Sequence, residues 1–93
     1  MKKKKTSHFS VEDIIRNEFK NSLSRGTIGK DANGLLWVYG VLLRDSLYLV
    51  EVITIDLATH KVERMKDKKK SYEQREDATA YIKVLIKEIL PQT

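Results

Sequence analysis

Polar and apolar positions trade places along most of this chain, but between Leu35 and Leu57 they stop doing so. That stretch reads LLWVYGVLLRDSLYLVEVITIDL, and 16 of its 23 residues are aliphatic or aromatic. A strand with one wet face alternates apolar with polar residues, because successive side chains point to opposite faces. Here both parities are apolar: Leu35, Trp37, Tyr39, Val41 and Leu43 fall on one, Leu36, Val38 and Leu42 on the other. The pattern predicts two long strands, about 35–44 and 47–56, joined by a tight turn at Asp45-Ser46. Both faces of such a pair need cover.

A two-residue turn makes cross-strand partners of residues whose numbers sum to 91. One face then pairs Leu42 with Leu49, Gly40 with Glu51, Val38 with Ile53 and Leu36 with Ile55. It is mostly aliphatic and is expected to take the helices. The opposite face pairs Leu43 with Tyr48, Val41 with Val50, Tyr39 with Val52 and Trp37 with Thr54. It holds the sheet aromatics, whose apolar bodies and polar tips suit an interface. Left open, such a face would be an unusually large apolar patch for a monomer. The competing arrangement covers it within the chain, by the N-terminal arm, the glycine loop or one helix apiece.

Helical periodicity brackets this block. Ser10 and Asp13 have the spacing of a capping box, and Phe9 with Ile14 that of a hydrophobic staple. Val11, Ile14, Ile15, Phe19 and Leu23 then form one stripe, so a helix is expected from Ser10 to about Ser24 or Arg25. Residues 24–34 carry three of the four glycines. They read as a loop with a short strand near 27–30 and a hairpin signal at Asn33-Gly34. His60 stands where a turn favours a left-handed residue. Lys61–Lys66 reads as a third, edge strand whose lysines discourage further pairing. Ser71 with Gln74 is a second candidate capping box, opening a helix from Tyr72 or Glu73 to Leu90 with an apolar face of Ala78, Tyr81, Ile82, Leu85, Ile86 and Ile89. The predicted fold is α+β in the order α-β-β-β-α: a three-stranded or four-stranded antiparallel meander with two helices on one face. Residues 1–8 are expected to be a disordered basic tail, and residues 9–93 a single domain.

Composition narrows the partners. The net charge of +5 comes mostly from Lys2 to Lys5; without them 14 basic residues face 13 acidic ones. The dense basic patch of the body is Lys61, Arg64, Lys66, Lys68, Lys69 and Lys70, broken by Glu63 and Asp67. It can be read as a phosphate grip or as a solvated edge. There is no cysteine, hence no disulfide and no thiolate ligand. No apolar run is long enough to span a bilayer, and no apolar stretch follows the basic start as in a signal peptide. A cytoplasmic location is expected.

Site chemistry is sparse. His8 and His60 have no metal-ligand spacing, and no cofactor or metal is expected. Gly26-Thr27-Ile28-Gly29-Lys30 departs from a phosphate loop in spacing, in Asp31 at the Ser/Thr position and in following a helix. No nucleophile elbow occurs, so no enzyme activity and no small-molecule substrate are expected. Glu51, a lone carboxylate in an apolar strand, is a candidate perturbed acid or an ion-pair partner.

The element order is similar to that of double-stranded RNA-binding domains, in which a basic cluster on the first turn of the last helix meets phosphate. In this chain that turn reads Glu73, Gln74, Arg75, Glu76, Asp77, which would repel phosphate. The run EDATAYI resembles a segment of the sheet-plus-helix DNA-binding modules of some integrases. Neither likeness carries a diagnostic motif. The expected function is a non-enzymatic interaction or regulatory domain, binding a second copy or another protein through Trp37, Tyr39, Val41, Tyr48, Val50 and Val52. The alternative is a nucleic-acid-binding accessory protein using the tail and the 61–70 patch.

Overall fold

Ser10 starts the first helix in the manner its spacing predicts. Its Oγ accepts from the Asp13 N–H at 3.1 Å, and the Asp13 carboxylate accepts from the Ser10 N–H at 3.3 Å. A computed structural model describes residues 10–90 of the chain. The basic tail and Phe9, half of the expected staple, lie outside them.

The first helix, α1 (Val11–Glu18), has eight residues and ends well before the expected Ser24. Two bonds stop it, one local and one to the sheet. The Ser22 hydroxyl donates to the Phe19 carbonyl at 2.7 Å, and the Leu23 N–H already donates to the Val41 carbonyl at 2.7 Å. The chain has joined the sheet where the stripe expected more helix. Strand β1 (Ser24–Lys30) is accordingly longer than predicted, and a register shift between Thr27 and Gly29 marks a bulge in it.

Strands β2 (Leu35–Arg44) and β3 (Leu47–Asp56) form the predicted hairpin, with the predicted register from Leu36↔Ile55 to Leu42↔Leu49. Asp45 and Ser46 both have positive φ, 54° and 66°, the backbone that matches a two-residue turn to strand twist. The β1–β2 connection is longer than an Asn-Gly two-residue turn. Asp31 organises it: its Oδ1 accepts from Asn33 N–H at 2.8 Å and Leu35 N–H at 3.0 Å, and its Oδ2 from the Trp37 indole at 2.9 Å. His60 has the expected left-handed backbone, φ 65°.

The far edge of β3 is shared by two short strands, β4 (Val62–Arg64) and β5 (Lys70–Tyr72), with a 3₁₀ turn at Lys66–Lys68 between them. Ser71 therefore does not cap a helix; it is paired with Leu49 in β5. The pairing satisfies β3 backbone groups near Tyr48 and Val50, and a helix beginning at Ser71 would leave these bare. Helix α2 (Arg75–Ile89) begins after Gln74 without a side-chain cap. The architecture is α+β, with two helices and an antiparallel sheet in the order β1-β2-β3-β4 and β5 also on β3.

The helices do not share a face. Ile15 and Phe19 of α1 pack with Val38, Ile53 and Ile55, whereas Ala78, Ile82 and Leu85 of α2 pack with Ile28, Val41, Val50 and Val52. Val38 and Ile53 are one cross-strand pair, and Val41 and Val50 another of opposite parity, so the two cores lie on opposite sides of the sheet. The expected two-layer packing is thus a three-layer one. The reason is the doubly apolar hairpin: with both helices on one side, the other side would keep its valines in water, at about 25 cal/mol per Å².

Candidate functional site

The aromatic face is an internal surface. Val41, Val50 and Val52 are 3%, 0% and 2% exposed, and Trp37, Tyr39 and Tyr48 are partly buried against the same α2 core. The partner surface expected there is occupied by α2, as in the arrangement that gives each face one helix. Trp37 and Tyr39 place their polar tips at Asp31 and over Gly26, respectively.

The 61–70 basic cluster is brought together along the β4–β5 edge, but most of it already has partners. Arg64 Nη2 lies 2.9 Å from Glu18 and its Nη1 3.9 Å from Glu51. Lys69 Nζ is 3.6 Å from Glu51, and Lys68 Nζ is 4.0 Å from Glu88. Lys70 Nζ sits 5.8 Å from the centre of the Tyr81 ring. Lys61 and Lys66 have no carboxylate within 4.0 Å among the described residues. Glu51 is thus an ion-pair hub with its side chain 18% exposed. Tyr81 holds this edge to α2: its hydroxyl donates to the Lys68 carbonyl at 2.6 Å, and its ring packs 5.9 Å from Tyr72. Burial, then Tyr72, Glu88 and Asp67, push the Tyr81 phenol above its ordinary pKa.

A different surface remains open. Helix α1, with eight residues, is about 12 Å long, whereas a ten-residue strand beneath it runs about 33 Å. Phe19, at the end of α1, sits on Gly40, and past this point the α1 side of the sheet carries no further helix among the described residues. There the register places Leu42, Leu47 and Leu49, and Leu23, just before β1, is tied beside them by its N–H bond to the Val41 carbonyl. Leu23, Leu42 and Leu47 belong to neither core. Leu23 is 47% exposed, Leu42 and Leu47 are half-buried, and Leu49 is 8% exposed. Arg25 and Arg44 stand beside them toward β1 and β2, and Glu51 toward β3. The parity of Leu42 and Leu49 is plain in the sequence. The opening of the patch is not, since it depends on α1 stopping at Glu18.

Among the described residues no three His, Asp or Glu side chains gather as metal ligands. No helix among them is long and apolar enough to cross a membrane. Gly26–Lys30 is strand rather than a cradle for phosphate. Comparison with family models, curated proteins and solved structures finds no match.

Proposed function

We propose that this chain is a non-enzymatic interaction domain that self-associates through the leucine patch beyond α1. One observation carries the reading: Leu23, Leu42 and Leu47 share one region of the sheet over the buried Leu49, and none of the three belongs to a core. Homodimer interfaces are more apolar than the rest of a protein surface, and a two-fold contact uses the same patch on both copies. The flanking charges differ in sign across the patch: Arg25 on β1 and Glu51 on β3 stand on either side of Gly40, while Arg44 stands at the hairpin end of β2. A copy turned by a two-fold axis parallel to the strands sets Arg25 opposite Glu51.

Sedimentation velocity across a micromolar concentration series tests this. The expected result is a reversible monomer–dimer boundary that Leu42→Lys abolishes while the far-UV circular dichroism is unchanged. A species that stays monomeric throughout the series removes the proposal. So does a dimer indifferent to charge at both Leu23 and Leu42.

A further inference from the structure

We infer that the break in the sheet edge between β4 and β5 is a binding site for a phosphate group. The inference is independent of self-association, since it rests on the edge and not on the leucine patch. Between Arg64 and Lys70 the chain leaves the sheet, and the gap opens a recess of about 220 Å³ lined by Glu51, Val52, Arg64, Met65, Lys66 and Lys69. Three cations and one carboxylate line it.

The frame of the recess is fixed by hydrogen bonds at each corner. The Met65 N–H donates to the Val52 carbonyl at 2.9 Å, keeping the exit of β4 on the sheet. The Lys68 N–H donates to the Met65 carbonyl at 3.0 Å, and the Lys69 N–H to the Lys66 carbonyl at 3.3 Å, which winds the turn. The Tyr81 hydroxyl fastens the Lys68 carbonyl to α2 at 2.6 Å. Glu51 lies 3.9 Å from Arg64 and 3.6 Å from Lys69. Each cation meets this carboxylate at a longer distance than a charge-assisted hydrogen bond of about 2.7–2.9 Å. Arg64 spends Nη2 on Glu18 at 2.9 Å but keeps Nη1, and Lys69 keeps donors as well, for an incoming oxyanion; Lys66 adds a third cation with no carboxylate within 4.0 Å among the described residues. A guanidinium and two ammonium groups around a small recess suit the tetrahedral oxygens of phosphate. Lys68 and Lys70 flank the recess, and Lys61 lies farther along the same edge, opposite Asp56. The phosphate can therefore be a free or monoester group or one unit of a nucleic-acid backbone.

The test is an NMR titration of the full chain with inorganic phosphate at low salt, followed by one with a mixed-sequence duplex. Phosphate is expected to give saturable shifts confined to the amides of Glu51, Val52 and residues 64–69. Lys66→Gln, at an exposed position outside the ion pairs, is expected to weaken binding several-fold, and Lys87→Gln on α2 to leave it unchanged. Glu51→Gln removes the one carboxylate in the recess and is expected to tighten binding by at least about four-fold, the Coulomb value for one charge removed about 5 Å away in bulk water. Duplex binding at the same amides, falling steeply with salt, identifies a nucleic-acid backbone as the source. Phosphate binding without duplex binding identifies a free or monoester phosphate. Non-saturating shifts spread over all surface lysines overturn the inference, as does unchanged or weaker binding in Glu51→Gln with its fold intact.

Discussion

Replacing Gly40 by alanine should destabilise this protein, although alanine is ordinarily the better residue. In a strand interior, glycine costs roughly 0.5–1 kcal/mol relative to alanine through its unfolded-state freedom, so the substitution by itself should stabilise. At Gly40 the added Cβ would stand 2.6 Å from Phe19 Cε1 and 2.7 Å from its Cγ. Phe19 is 1% exposed and packs among Ile15, Val38, Ile53 and Ile55, so the ring has little room to retreat. Overpacking costs about 1–3 kcal/mol, and contacts this short belong in the upper half of that range, so the net loss should be about 1–2 kcal/mol after the backbone gain. For a domain of this size that lowers Tm by about 4–16 °C. Thermal unfolding followed by circular dichroism at 222 nm reads it. The mechanism makes a second demand. In Phe19→Leu, which trims the ring, Gly40→Ala should cost less than in the parent, so the double-mutant cycle should be non-additive. A Gly40→Ala variant as stable as the parent would refute the close packing of α1 on the sheet. Equal costs in both backgrounds would assign the loss to something other than the ring.

Other outcomes follow from the same packing. Leu85→Ala in α2 removes a fully buried side chain from the core over the aromatic face and should cost about 2–5 kcal/mol by urea denaturation. Tyr81→Phe should cost about 1 kcal/mol and speed amide exchange selectively over residues 65–69, since the hydroxyl bond to the Lys68 carbonyl is lost. The Asp31 carboxyl is held below the ordinary aspartate value of 3.8 by the Trp37 indole, then by the Leu35 and Asn33 N–H groups. A depressed acid contributes stability above its unfolded pKa and loses it as pH falls through the folded one. Trp37 emission should therefore shift in acid below about pH 4, and Asp31→Asn should flatten that titration. Sedimentation of Leu42→Lys, expected to be monomeric, checks the proposed interface.

Local chemistry in the sequence was enough to place several features. Ser10 and Asp13 cap α1 because their hydrogen bonds close within four residues. Asp45-Ser46 sets the β2–β3 register because a two-residue turn leaves no freedom of pairing. His60 takes its left-handed turn for similarly local reasons. Three errors share one cause. Leu23 continues the helical stripe of Phe19, yet it pairs with the sheet through Val41. Ser71 has capping spacing, yet it serves β3 as a strand. Trp37, Tyr39 and Tyr48 look like an interface, yet α2 lies over them. In each case a segment's own preference was outweighed by hydrogen bonds or buried area supplied by residues distant in sequence.

The candidate surfaces divide in the same way. The six cations of 61–70 are visible as composition, but their pairing with Glu18, Glu51 and Glu88 involves contacts across as many as 46 positions. The recess at Glu51 exists because two short strands share one neighbour. The leucine patch exists because an eight-residue helix lies on a ten-residue strand. The doubly apolar hairpin, its register and its need for cover on both sides are written in the order of residues, since side-chain parity is a local property of the chain. The tertiary structure alone decided which helix covers which face and how far each reaches. Those choices depend on competition for buried area and backbone partners across the whole molecule, which no local pattern encodes.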